Sequence, residues 1–326
     1  MVPHAFACPV CGSADLRWVD ADIGCTACSR SYRVRQGIFD FLGQPGHAVA
    51  HELEGLAVES GKDIRAGFDE VTILEVEHID SIAEQMSQSR GVRTRYYQHT
   101  AAAYFEAISR AQPDADMRVL ELGADRSFFK LRTLRELCSQ AYALNIFFHQ
   151  QANTAPPDWP VRVLGDMNEL PFADSYFDLV VCSATLHHTP TLDTALAQIR
   201  RVLRPGGRAV VVNEPVEGAA KSWGLRRGVA NHDRDEHIHE VPVTRGRWRE
   251  AIKRSGLRPD YFVPAWFLQQ AAQPGDAPAD RRFAGLARGL SPVLRSTDVQ
   301  DLVRIVGQAP GQALLGLPLN VVLWKP

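Results

Sequence analysis

The chain has 326 residues, 45% of them apolar and 23% charged, and a net charge of −2 with its eleven histidines neutral. That length supports one large core with a smaller module beside it, and the composition is ordinary for a globular protein. A near-neutral balance gives no overall attraction to a polyanion, which argues against nucleic acid as the main partner. No stretch approaches the ~18 apolar residues of a membrane helix, and residues 1–30 lack the charged start and apolar middle of a secretory leader.

The first element is a pair of C-x2-C units, Cys8-Pro-Val-Cys11 and Cys25-Thr-Ala-Cys28, thirteen residues apart. Two thiolates at i and i+3 on a tight turn supply half of a tetrahedral zinc shell, and two such turns complete it. Gly12 can take the left-handed conformation that such a turn needs. Paired cysteines near the start suit metal thiolates in a reducing compartment rather than a disulfide framework, so a cytoplasmic protein is expected. Trp18, Ile23, Tyr32, Val34, Ile38, Phe39 and Phe41 supply small strands for the ion to staple. So small a module buries too little by itself, and zinc would contribute folding energy. Four protein ligands leave no open position, so the ion is read as structural. The pattern resembles the zinc ribbon of the tRNA-methyltransferase-activator type, which often runs into a Gly-Ile-x-Asp/Pro-Phe-Leu strand, here Gly37-Ile-Phe-Asp-Phe-Leu42. Residues 1–45 balance Arg17, Arg30, Arg33 and Arg35 against Asp15, Asp20, Asp22 and Asp40, unlike a dedicated RNA-binding ribbon.

Gly43-Gln-Pro-Gly46 is a breaker cluster that sets off residues 1–45. Residues 46–112 read as a helical linker or cap, with helices over Ile79–Ser89 and Thr94–Ala111. The second carries Tyr96, Tyr97, Tyr104 and Phe105, which either overlie a ligand cleft or pack against a sheet. From Pro113 onward strand and helix alternate. The periodicity predicts a strand over Val119–Leu122, a helix over Phe128–Cys138, and strands over Ala141–Ile146, Val161–Leu164 and Leu179–Cys182. It then predicts a helix over Leu192–Val202, a strand over Arg208–Val212, a helix over Arg245–Ser255, the segment Tyr261–Phe267 and a last strand over Leu319–Trp324. This is an α/β pattern, a doubly wound and mostly parallel sheet over residues 113–326. Segments 216–244 and 270–310 interrupt it as late insertions.

Five segments lie along this frame: Arg118-Val-Leu-Glu-Leu-Gly123, Gly165-Asp-Met-Asn-Glu-Leu-Pro-Phe172, Phe177-Asp-Leu-Val-Val-Cys182, Val202-Leu-Arg-Pro-Gly-Gly207 and Ala209-Val-Val-Val-Asn-Glu214. In order and spacing they resemble class I S-adenosylmethionine-dependent methyltransferases of the small-molecule type. The resemblance implies a Rossmann-like sheet with its ligand beyond the carboxyl ends of the strands, and late insertions that form a substrate lid. It places Glu121 at the end of the first strand and Gly123 and Ala124 in the cofactor loop. Asp125 and Ser127 take the positions of the second and third glycines. There Asp125 either meets the methionine portion of the cofactor or caps the next helix. Asn145 and Ile146 end the second strand, where an acid usually accepts both ribose hydroxyls. An amide there weakens the bond by roughly 1–2 kcal/mol. Asp166 stands where the adenine amino group is accepted, Met167 is available to pack on the ring, and Ser183 ends the fourth strand.

In the resembling family the loop Ser183-Ala-Thr-Leu-His187-His188-Thr faces the transferred methyl group. A neutral histidine there can remove a proton from the attacking atom; otherwise the pair caps or packs. Within Asn231–Glu240, His237 and His239 with Asp235 or Glu236 suit substrate contact, acid–base work or a divalent metal, or simply a solvated loop. Arg281–Arg295 is basic and amphipathic, a candidate for an acidic substrate group or an ordinary helix surface. The expected activity is methyl transfer to a small metabolite, in specialised metabolism. A second reading, favoured by Asp125 and Asn145, keeps the fold without the cofactor and performs elimination, cyclisation or hydrolysis. An RNA methyltransferase and a noncatalytic partner subunit are further readings, and both homo- and hetero-oligomers stay open.

Overall fold

A computed structural model describes residues 2–42, 49, 50, 53, 92–124, 128–148, 159–189, 191–217, 243–265 and 318–326. The ribbon contributes β1 (Leu16–Val19), β2 (Asp22–Cys25), β3 (Ser31–Arg35) and β4 (Ile38–Asp40). Next come α1 (Val92–Ala111), β5 (Met117–Leu122), α2 (Phe129–Thr133), β6 (Cys138–Asn145), β7 (Val161–Leu164) and β8 (Phe177–Ser183). The chain continues with α3 (Leu192–Val202), β9 (Leu203–Glu214), β10 (Val216–Glu217), β11 (Val243–Thr244), α4 (Arg245–Ser255), β12 (Arg258–Tyr261) and β13 (Leu319–Trp324).

Among the described residues, eleven strands form one sheet in the order β1-β2-β3-β4-β7-β6-β5-β8-β9-β13-β12. The central run from β7 to β9 is parallel, β13 returns antiparallel to β9, and β12 closes the edge antiparallel to β13. This is the doubly wound, Rossmann-like sheet that the alternation predicts. Strand order reverses at β5 and β8, which puts the ligand crevice beyond their carboxyl ends.

Successive residues of each central strand enter opposite cores. Leu120, Val180 and Cys182 join one cluster with α3 and α4, while Val119, Leu179 and Val181 join another with α1 and Leu131 of α2. The helix α3 forms because Leu192, Ala195, Leu196, Ile199 and Val202 recur at helical spacing and are all buried. In α4, the Thr244 hydroxyl accepts from the Arg247 N–H at the start, and Gly256, at φ 73°, ends the helix.

The ribbon is continuous with the large sheet. β4 runs parallel to β7 with Ile38 opposite Arg162, Phe39 opposite Val163 and Asp40 opposite Leu164. The Phe41 N–H extends this ladder to the Leu164 carbonyl at 2.9 Å. Covering β7 in this way removes an edge that would otherwise expose unpaired backbone groups.

Beyond β5, β8 and β9, which run longer than expected, three elements differ from the periodicity. The helix expected over Phe128–Cys138 stops at Thr133, passes through a 3-10 turn at Arg135–Leu137, and gives way to β6 at Cys138. The parallel pairing of Met117 with Cys138 overrides the helical pattern there. β6 then spans Cys138–Asn145 rather than Ala141–Ile146. The strand after α4 lies at Arg258–Tyr261, before the expected Tyr261–Phe267, and its Pro259 is tolerated because β12 is an edge. The expected helix Ile79–Ser89 and the insertions, apart from residues 216, 217, 243 and 244, lie outside the described residues.

Candidate functional site

The carboxyl ends of β5, β6, β7 and β8 meet in a tight set of backbone contacts. Gly123 turns the chain at φ +65°, and a Cβ there would lie 2.4 Å from the Thr185 hydroxyl oxygen, so only glycine fits. The N–H groups of Gly123 and Ala124 both donate to the Leu144 carbonyl, at 2.9 and 3.2 Å. Asn145 locks the two loops together, its Nδ2 donating to the Ala124 carbonyl at 2.9 Å and its Oδ1 accepting from the Ile146 N–H at 2.8 Å. Ile146 packs, partly buried, on the core beside α1.

One strand over, the Gly165 N–H donates to the Asn145 carbonyl at 3.0 Å. Asp166 uses Oδ1 to accept from the N–H and the side-chain amide of Asn168, at 2.7 and 2.9 Å. Its Oδ2 takes no part in those bonds. Met167 packs, partly buried, against the opposite core. At the end of β8, the Ser183 hydroxyl accepts from Asn213 Nδ2 at 3.2 Å. The structure thus brings Gly123, Ala124, Asn145, Ile146 and Asp166 to one end of the sheet, with Ser183 at the end of β8. Asp125 and His237 lie outside the described residues.

Glu121 is fully buried, and its Oε1 accepts from Lys130 Nζ at 2.8 Å. Its carboxylate is therefore committed to a partner from α2. Tyr104 packs against the sheet, as one of its two readings required, and donates its hydroxyl to the Lys130 carbonyl at 2.9 Å. Burial first, then the nearby Glu121 charge, holds the Tyr104 hydroxyl well above the ordinary phenol range. Phe105, its neighbour, is exposed.

The sequence reading passed over Glu214. This residue ends β9 at zero exposure, and four nitrogens converge on it. Oε1 accepts from the N–H groups of Thr185 and Leu186 at 2.8 and 3.0 Å. Oε2 accepts from the His187 N–H at 3.1 Å and lies 3.0 Å from His187 Nδ1. The loop that carries both histidines is therefore pinned to the end of β9. His187 is buried and its ring lies 4.1 Å from that of His188, tilted by 38°. In the core, burial and then the charges of Glu214 and Glu121 keep the Cys182 thiol protonated far above its ordinary range.

At the other end of the chain the four ribbon cysteines converge, with their sulfurs all within 4.8 Å of one another. Cys8 and Cys28 are 3.6 Å apart, as are Cys11 and Cys25. Both turns share one design: the Gly12 N–H returns to the Cys8 carbonyl at 2.8 Å, and the Ser29 N–H to the Cys25 carbonyl at 2.9 Å. Thiolates about 2.3 Å from a central zinc in a tetrahedron sit about 3.8 Å apart, so the donor set fits that ion. Burial works to raise the Cys8 thiol, but hydrogen bonds from Tyr32 and from the backbone of Cys11 and Val10 outweigh it and bring it down to about 7.

A separate cleft of about 180 Å³ opens at the amino ends of β5 and β8, among Asp114, Asp178, Arg204 and Arg208. Its guanidinium groups already engage Asp178 and the Ala111 and Gln112 carbonyls, so it reads as a structural seam away from the loops above.

Residues 120–211 match the protein family described as "Methyltransferase domain". The chain is 36% identical over 89 residues to the rat protein named arginine-hydroxylase NDUFAF5, mitochondrial, across 27% of this chain and 26% of that protein. It is 46% identical over 69 residues to the ubiquinone/menaquinone biosynthesis C-methyltransferase UbiE of Burkholderia mallei, across 20% of this chain and 28% of that one. The matched segments thus span only about a quarter of those relatives' own lengths. Among solved structures, it is similar to the 1,6-didemethyltoxoflavin-N1-methyltransferase of Burkholderia thailandensis with bound S-adenosylhomocysteine. That likeness has a TM-score of 0.45 and 16% identity, over 95% of this chain and 98% of that one.

Proposed function

From a chain whose residues 120–211 form a methyltransferase domain of the class I fold, we propose that it transfers a methyl group from S-adenosylmethionine to a small metabolite. The observation that carries this reading is the placement of the turn at Gly123, the Asn145 bridge and Asp166 on one end of a parallel sheet, at its switch point. The residues fit the cofactor. Asp166 keeps Oδ2 for the adenine amino group, and Met167 offers a thioether face to the ring. Asn145 retains one acceptor lone pair for a ribose hydroxyl.

When bound, S-adenosylmethionine supplies the electrophilic methyl carbon. The strand ends hold the nucleophile in line with it, and His187 takes the nucleophile's proton. The balanced charge of the ribbon and of the whole chain supports a small metabolite over RNA. Such a substrate is at home in specialised biosynthesis. For the ribbon, we propose a structural zinc held by Cys8, Cys11, Cys25 and Cys28.

A second reading keeps the fold without methyl transfer. It is favoured by the engagement of both ends of the Asn145 amide with backbone and by the pairing of Glu121 with Lys130. The rat relative, named a hydroxylase, is a precedent for other chemistry on a related domain. Calorimetric titration with S-adenosylhomocysteine separates the two. Micromolar binding supports methyl transfer, and absence of heat at millimolar ligand overturns it.

A further inference from the structure

The geometry points to Glu214 as the residue that positions His187 and selects which ring nitrogen can accept a proton; the catalytic consequence rests on the methyl-transfer reading above. Three fixed donors, the N–H groups of Thr185, Leu186 and His187, converge on the Glu214 carboxylate, and His187 Nδ1 lies 3.0 Å from its Oε2. A carboxylate has only acceptor sites, so a bond from Nδ1 requires the proton to sit on Nδ1. In the neutral ring, Nε2 then holds the lone pair. The ring is fixed on its other side by His188, stacked 4.1 Å away. Among the described residues Nε2 makes no hydrogen bond, and the side chain retains 8% exposure. Nε2 is thus the nitrogen offered to a substrate.

The proton transfer follows directly. A substrate hydroxyl or amine gives its proton to the Nε2 lone pair and keeps the bonding electron pair on its own oxygen or nitrogen. The imidazolium that results is paired with Glu214, whose carboxylate stays where it was. The backbone bonds from residues 185–187 hold that carboxylate in place before the substrate arrives, so no reorganisation accompanies the step. Glu214 is a positioning residue here: it acts through His187 and touches no substrate. The groups facing the ring are Glu214 from β9 and His188 from the same turn.

The test is the tautomer of His187 in the full chain, read from long-range proton–nitrogen spectra of protein labelled with 15N-histidine, under conditions where imidazole is neutral. His187→Gln and His188→Gln assign the signals. The wild type is expected to carry its proton on Nδ1, and Glu214→Gln, with one acceptor oxygen for four donors, to shift it toward Nε2. A proton on Nε2 in the wild type overturns the proposal, as does an unchanged tautomer in a folded Glu214→Gln protein. Should that variant unfold, the wild-type spectrum decides alone. Titration of the same samples with S-adenosylhomocysteine reports separately on the methyl-transfer reading, since cofactor affinity can fail while the tautomer stands.

Discussion

Phe6 packs its ring 5.7 Å from that of Phe172, and the same two residues are antiparallel backbone neighbours across the seam between ribbon and large domain. Around them, Phe6 also meets Phe39 at 4.8 Å and Phe41 at 5.0 Å, and Phe172 meets Tyr142 and Phe177. The ribbon and the sheet therefore share a core at this seam rather than touching through a linker. Replacing Phe6 by Ala is expected to cost about 3–5 kcal/mol of whole-chain stability, as for other buried aromatic truncations. Urea unfolding checks this; a loss confined to the ribbon, with an unchanged main transition, contradicts it.

The same continuity predicts the effect of metal removal. With β4 paired to β7, a chelator should lower the melting temperature of the whole chain by about 5 °C or more, because binding energy of the ion is folding energy. The fluorine resonance of Trp18 in protein labelled with fluorotryptophan reports the ribbon, and circular dichroism the large sheet. The two should move together.

Lys130 and Glu121 form a largely buried ion pair, with the carboxylate fully shielded from water. Lys130→Met would remove the cation that faces the buried carboxylate at 2.8 Å and is expected to cost about 3–5 kcal/mol. The double change Lys130→Met with Glu121→Gln should cost less than the single one. A double-mutant cycle measured in urea tests this, and additive losses would contradict the pairing.

Asp178 gives a stability term with a definite pH dependence. Burial works to raise its carboxyl, but the Arg118 N–H and the guanidinium groups of Arg204 and Arg118 outweigh it and hold it below the usual carboxylate range. A folded-state value lower than the unfolded one stabilises the protein above the ordinary range near pH 3.9, and that stabilisation is lost as pH falls through the depressed value. Asp178→Asn should therefore cost about 1–3 kcal/mol at neutral pH and progressively less toward pH 3. Equal losses at both pH values would contradict this account.

What was legible in the chain follows from physical causes. The helices Leu192–Val202 and Arg245–Ser255 and the strands Val161–Leu164 and Leu319–Trp324 occur with the bounds expected of them. Each keeps its buried apolar residues at the spacing of its element, and Gly256 at φ 73° adds a stop after α4. The stretch from Phe128 to Cys138 misled because its leucines keep helical spacing while its last residue belongs to a ladder with Met117. Such non-local pairing leaves no periodic trace. The cysteine quartet was readable from spacing alone because tetrahedral coordination demands it. Glu214 was not, since its meaning lies in the loop of residues 185–187, far from it in sequence. Asn145 showed its type in sequence, but not that its amide is spent on the backbone of Ala124 and Ile146.

A crystal structure grown in excess S-adenosylhomocysteine tests the methyl-transfer account most directly. The account predicts the adenosine portion beyond β6 and β7, with its amino group on Asp166 and the sulfur toward the loop of His187. An empty crevice at saturating ligand, or the ligand bound elsewhere, would contradict it.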